Sequence, residues 1–140
     1  MGRILAIDYG KKRTGIAVSD VMQMIANGLT TVSGGEVLEF ILDYVKTEPV
    51  ECIVIGSPKQ MNNEASENGK YVDAFVRILR KHLPDMPVKL VDERFTSVLA
   101  QRTIRDAGLK KKDRQNKALV DEISAVIILQ TYLESGRLGF

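Results

Sequence analysis

The segment Glu51 to Gly56 constrains the chain most. Its core, Cys52-Ile-Val-Ile55, is an unbroken apolar run rich in β-branched residues, followed by the loop residues Gly56-Ser-Pro58. Such a run reads as a strand buried on both faces, the environment of a central parallel strand. The flanking segments supply its cover. Before it, Val37, Leu38, Ile41, Leu42 and Val45 form one apolar stripe at helical spacing, closed by Pro49. Ser33-Gly-Gly-Glu36 ahead of that stripe matches a capping box, with Ser33 at N-cap and Glu36 at N3. After it, Tyr71, Val72, Phe75, Val76, Leu79 and Leu83 give a second helix an apolar face that ends at Pro84, and Val88 to Val91 makes another short buried strand. Alternating strand and helix imply right-handed βαβ units.

The N-terminal third follows a different rule. Ile4 to Ile7 is a short strand ending at Asp8, and Gly15 to Asp20 returns after a basic, glycine-flanked turn. With Met24 to Val32 they make an antiparallel meander. Ser97 to Ala107 reads as a short helix closed by Gly108, and Ala118 to Glu134 as a helix apolar nearly all round, hence buried. The expected fold is a single α/β domain over residues 1–140: a mixed five-stranded sheet, three antiparallel strands and then parallel ones, flanked by helices. A chain of 140 residues is the usual size of one domain.

Composition excludes several classes. At 44% apolar and 27% charged residues this is ordinary globular material, without an apolar run near the ~20 residues of a membrane-spanning helix. No secretory leader pattern precedes the first strand, so a cytoplasmic protein is expected. A single cysteine, Cys52, forbids an intrachain disulfide and reads as a buried small hydrophobe. His82, the only histidine, falls at a helix end where a solvated or capping role is expected. Ser-His-Asp and Cys-His chemistry therefore have no candidates.

Three acidic positions carry the chemistry. Asp8 ends the first strand, where an aspartate often simply starts a turn; here a glycine turn and Lys11, Lys12 and Arg13 follow, pairing a carboxylate with cations. Asp92 and Glu93 end a second buried strand, ahead of Arg94, and only one of them can share Asp8's face because strand side chains alternate. Asp121 lies on an otherwise apolar helix, so its charge must be paired, ligated or protonated. Carboxylates without Cys/His spacing are hard donors suited to Mg²⁺ or Mn²⁺ rather than zinc. Lys110, Lys111, Lys112, Arg114 and Lys117 form a second basic segment leading into the Asp121 helix, and two such loops point to a polyanionic partner. Only 6% of residues are aromatic and none is Trp, so backbone recognition should outweigh base stacking.

Three stretches make a pattern: Ile7-Asp-Tyr-Gly-Lys-Lys-Arg-Thr-Gly-Ile-Ala-Val-Ser-Asp20, Val91-Asp-Glu-Arg-Phe-Thr-Ser97 and Val120-Asp-Glu-Ile-Ser-Ala-Val-Ile-Ile-Leu-Gln130. Together they resemble the YqgF family of pre-16S rRNA nucleases, over nearly the whole chain. The resemblance implies an RNase H-like fold related to the RuvC-type Holliday junction resolvases and a cytoplasmic enzyme of late small-subunit rRNA maturation. It implies Asp8, Glu93 and Asp121 as the acidic motif positions, choosing Glu93 over Asp92, with two Mg²⁺ or Mn²⁺ ions serving phosphodiester hydrolysis. A fourth ligand, if used, has Glu122 and Asp20 as candidates. Lys11, Lys12, Arg13, Arg94, Lys110, Lys111, Lys112, Arg114 and Lys117 would meet the nucleic acid. The alternatives are a Holliday junction resolvase, which needs a two-fold dimer, and an RNA-binding ribosome-assembly factor without catalysis; for the first reading, a monomer or weak homodimer is expected. An actin-like ATPase, sharing the first hairpin, would need a second domain.

Overall fold

In the computed structural model the described residues form β1 (Arg3–Asp8), β2 (Arg13–Ser19), β3 (Ala26–Ser33), α1 (Val37–Thr47), β4 (Val50–Ser57), α2 (Glu67–His82), β5 (Val88–Asp92) and α3 (Lys117–Leu138). The structure describes residues 2–57, 67–92 and 117–138, with backbone alone at 67–68, 92, 117–121 and 135–138. The expected helix Ser97 to Ala107 lies outside them. The strands form one sheet in the order β3-β2-β1-β4-β5. β1 pairs antiparallel with β2 and β2 with β3, while β1, β4 and β5 run parallel. This is the mixed sheet read from the apolar runs.

Strand alternation divides the core in two. Leu5, Ile7, Ile16, Val18, Ile53 and Ile55 face one way and pack with Val37 and Ile41 of α1 and Val72, Phe75, Val76 and Leu79 of α2. Ile4, Ala6, Ala17, Cys52 and Val54 face the other way and pack with Ala125, Ile128 and Leu129 of α3. Ala6, Ala17 and Cys52 on the α3 face are small, so the helix can approach closely there. Three side chains fully removed from water on β4, Ile53, Val54 and Ile55, span both cores, as the unbroken apolar run requires.

Two local expectations fail for tertiary reasons. Ser33 is not an N-cap: it pairs with Arg13 as the last residue of β3, and its carbonyl accepts the Glu36 N–H at 3.0 Å in a turn. Glu36 is the N-cap of α1 and makes no side-chain capping bond. Ladder pairing claimed the serine before the helix could. β3 also begins two residues later than expected, because the Asp20 carboxylate accepts the N–H groups of Met24 and Ile25 at 2.8 and 2.9 Å and holds them in a turn. Gln23 completes that turn at φ 59°, its amide donating to the Gly2 carbonyl at 2.8 Å and to the Glu51 carboxylate.

Candidate active site

Asp8 ends β1 on the face shared by Ile4 and Ala6, the face that α3 covers. Its partner on β2 is Gly15. On β4, one register step beyond the Ile7–Ile55 pair, its neighbour is Gly56. Both glycines are buried, and neither carries a side chain at Asp8's level. Asp8 is therefore flanked on both neighbouring strands by backbone without side chains, a trough in the side-chain pattern of that face. Any β-branched residue at 15 or 56 would suit a strand better by propensity, so glycine there is the feature that periodicity alone overlooks.

The backbone of α3 begins toward the same end of the sheet. Its Leu133 packs near Ala26, which pairs with Ser19 beside the start of β1, and the Glu122 carboxylate lies over Gly28, where a Cβ would overlap its Oε1. Gly28 pairs with Ala17, and Ala17 with Ala6, so the helix runs from Asp8's end of the sheet toward Ile4's. From position 121 to Leu133 it rises about 18 Å, enough to cover the about 13 Å of strand from Ile4 to Asp8. Position 121 is one turn before Ala125, on the stripe continued by Ile128, Leu129 and Tyr132 that meets the sheet.

β5 reaches the same end of the sheet. Gly56 pairs with Val91 and Ser57 with Asp92, so β5 ends level with Asp8. Val91 packs in the α3 core and Lys89 donates to the Tyr132 hydroxyl of α3 at 3.2 Å, so both odd-numbered positions of β5 share Asp8's face. Glu93 and Arg94 lie outside the described residues, as do Lys110, Lys111, Lys112 and Arg114; Asp121 and Lys117 are placed by helix backbone. Among the described residues no three His, Cys, Asp or Glu side chains converge to hold a metal ion.

The basic turn at the same end is firmly held. The Thr14 hydroxyl, fully buried, donates to the Gly10 carbonyl at 3.3 Å and accepts the Gly10 N–H at 3.4 Å. Gly10 is required by close approach, since a Cβ there would overlap the Arg13 carbonyl oxygen. The Gly34 N–H donates to the Lys12 carbonyl at 3.1 Å, tying the turn to the end of β3. Lys11 and Lys12 are left exposed and Arg13 half-buried.

Other candidates go elsewhere. Asp20 caps the β2–β3 turn at the opposite end of the sheet, its carboxyl held below the usual range by the N–H groups of Ile25 and Met24, so it is no fourth ligand to Asp8. Glu122 lies over β3, two strands from β1 and so about 10 Å across the sheet. Cys52 is buried beneath α3 and burial pushes its thiol pKa up, the reverse of an activated nucleophile. His82, exposed, contacts the Ile78 carbonyl at 2.9 Å in its own helix. Among the described residues no helix is long and apolar enough to cross a membrane.

A family model described as "RuvX: Holliday junction resolvase" matches residues 2–135. A Bacteroides fragilis protein is 74% identical over 138 residues, covering 99% of this chain and 100% of that protein. One from Bacteroides thetaiotaomicron is 73% identical over 137 residues, covering 98% and 99%. Both carry the name "Putative pre-16S rRNA nuclease". Among solved structures, Thermus thermophilus RuvC in complex with Holliday junction substrate superposes with a TM-score of 0.57 at 17% identity, covering 97% of each chain; the likeness is one of fold, and the sheet is the RuvC-like, RNase H-like α/β arrangement.

Proposed function

The chain belongs to the RuvX family, and from that premise we propose that it is a nuclease that hydrolyses phosphodiester bonds in the 5′-end maturation of pre-16S rRNA, with Asp8, Glu93 and Asp121 as its acidic centre. The carrying observation is the trough: Asp8 between Gly15 and Gly56, beneath the helix stripe that leads back to position 121. Glycine on both flanking strands keeps side chains away from the carboxylate, as a site for a phosphate and its counterions requires.

The donor chemistry fits Mg²⁺ or Mn²⁺. Asp8, Asp121 and Glu93 would hold the ions, all through oxygen, and the odd parity of Asp8's face on β5 favours Glu93 over Asp92. Bound ions of this kind supply Lewis-acid stabilisation and a more acidic water. The protein's own part is to fix the carboxylates on rigid elements and to neutralise phosphates beside the cut. Lys11, Lys12 and Arg13 would do so from the β1–β2 turn, and Arg94, Lys110, Lys111, Lys112, Arg114 and Lys117 would add further cations. Cytoplasmic location follows from this substrate, with a monomer or weak homodimer sufficient for a single cut.

The description of the family supports a second reading, cleavage of branched DNA, which needs two sites related by a two-fold axis. One assay separates the possibilities: wild type and Asp8→Asn on precursor 16S rRNA and on a four-way junction, with Mg²⁺, Mn²⁺ or EDTA. We expect rRNA cleavage that requires metal and is lost in Asp8→Asn with folding intact. Cleavage surviving in Asp8→Asn refutes the site, symmetric junction cutting by a dimer favours the resolvase, and tight RNA binding without any product favours a non-catalytic assembly factor.

A further inference from the structure

Lys11 and Tyr71 meet outside the carboxylate centre. The Lys11 ammonium donates to the Tyr71 hydroxyl oxygen at 3.4 Å and lies 5.0 Å from the centre of the ring. Tyr71 is 36% exposed, while Phe75, one turn further along α2, is 5% exposed. The apolar face of α2 thus ends in an aromatic ring at the surface, beside a cation held against it. Because its oxygen accepts from Lys11, the tyrosine keeps its O–H to donate, and the ammonium keeps further N–H donors. Every remaining strong donor of the pair suits an anion.

The pair is also pre-oriented and near the site. Tyr9 stacks on Phe75 with ring centres 4.6 Å apart, so α2 holds both ends of the segment from Tyr9 to Lys11. Three residues of chain place the Lys11 Cα within about 11 Å of the Asp8 Cα. Resting on the nuclease reading above, we propose that Lys11 and Tyr71 form a phosphate subsite on the α2 side that takes a backbone phosphate flanking the one cleaved, Tyr71 acting as a positioning residue through its hydroxyl.

Tyr71→Phe tests this, since it keeps the ring and its cation–π contact with Lys11 and removes the hydroxyl, both the O–H donor and the acceptor of the Lys11 hydrogen bond. Binding of a fluorescein-labelled single-stranded RNA spanning the 16S 5′ leader is read by anisotropy in EDTA over a range of KCl, with kcat and KM measured separately in Mg²⁺. Tyr71→Phe should raise Kd and KM about 3- to 10-fold with kcat and the unfolding midpoint unchanged. Lys11→Met should lower the salt slope by about 0.7, and in its background the Tyr71→Phe effect should shrink. Wild-type affinity in Tyr71→Phe, or weaker affinity accompanied by a lower midpoint, overturns the subsite. If Tyr71→Phe binds normally while Asp8→Asn loses cleavage, the subsite alone falls. If Tyr71→Phe weakens binding while Asp8→Asn still cleaves, the carboxylate centre alone falls.

Discussion

Tyr9 stacks on Phe75 with an interplanar angle of 18°, so the residue immediately after Asp8 is clamped to the middle of α2. Asp8 is thereby held from both sides: the sheet ladder to Gly15 before the turn, and an aromatic pair after it. Offset aromatic contacts of this kind add about 0.5–1.5 kcal/mol beyond area burial. Here they fix the direction in which the chain leaves β1, and with it the basic turn.

Tyr9→Leu keeps an apolar body but loses the stack. Urea unfolding should show a loss of about 0.5–1.5 kcal/mol, and nuclease activity should fall further than that stability loss explains, because Lys11 and Lys12 are no longer held beside Asp8.

Gly56→Ala and Gly56→Val should place a side chain on β4 beside Asp8, the valine at a cost of about 1–3 kcal/mol in stability. The expected result is an unchanged circular dichroism spectrum with activity reduced about 10²-fold or more in the valine variant. Normal turnover by Gly56→Val would show that the trough is not used.

Ala125 is fully buried where α3 crosses the sheet, one turn from Asp121. Ala125→Leu should cost about 1–3 kcal/mol by overpacking and lift the helix, lowering kcat. Ala125→Gly should cost about 1 kcal/mol through helix propensity yet leave kcat near the wild-type value. Chemical denaturation paired with single-turnover rates distinguishes these outcomes.

The Asp20 carboxyl is held below its ordinary value by the N–H groups of Ile25 and Met24. A depressed folded-state pKa contributes stability above the unfolded value of about 3.9, lost as pH falls through the folded value. Asp20→Asn keeps an oxygen acceptor without the charge. It should therefore melt below wild type at pH 6, the gap closing below about pH 4; a gap constant across pH would contradict the capping role.

Burial raises the Cys52 thiol pKa. Ellman's reagent at pH 8 should leave the native protein unlabelled and modify one thiol per chain in guanidinium, labelling in the native state marking local opening of α3.

Much of the architecture was legible because it rests on local rules. The continuous run at Cys52 to Ile55 required a doubly buried strand, and the stripes at Val37, Ile41 and Val45 and at Val72, Phe75 and Leu79 required helices on one of its faces. Ser33 and Met24 were misread because each was judged from its neighbours in sequence. A ladder partner, Arg13, and a distant acceptor, the Asp20 carboxylate, decided them instead. Asp20 itself, a plausible ligand by composition, was excluded by lying at the wrong end of the sheet.

The trough is where the two levels part. By itself the sequence determined that acids end two strands and interrupt one apolar helix, since side-chain direction along an element follows from backbone period alone. It equally determined that cations follow Asp8. Only the tertiary structure decided that Gly15 and Gly56 flank Asp8, and that Lys89 and Val91 of β5 face the same way as Asp8, toward α3. Those relations depend on register and on which side of the sheet α3 packs, and both are chosen by the match of small residues, Ala6, Ala17 and Ala125, across elements more than a hundred residues apart.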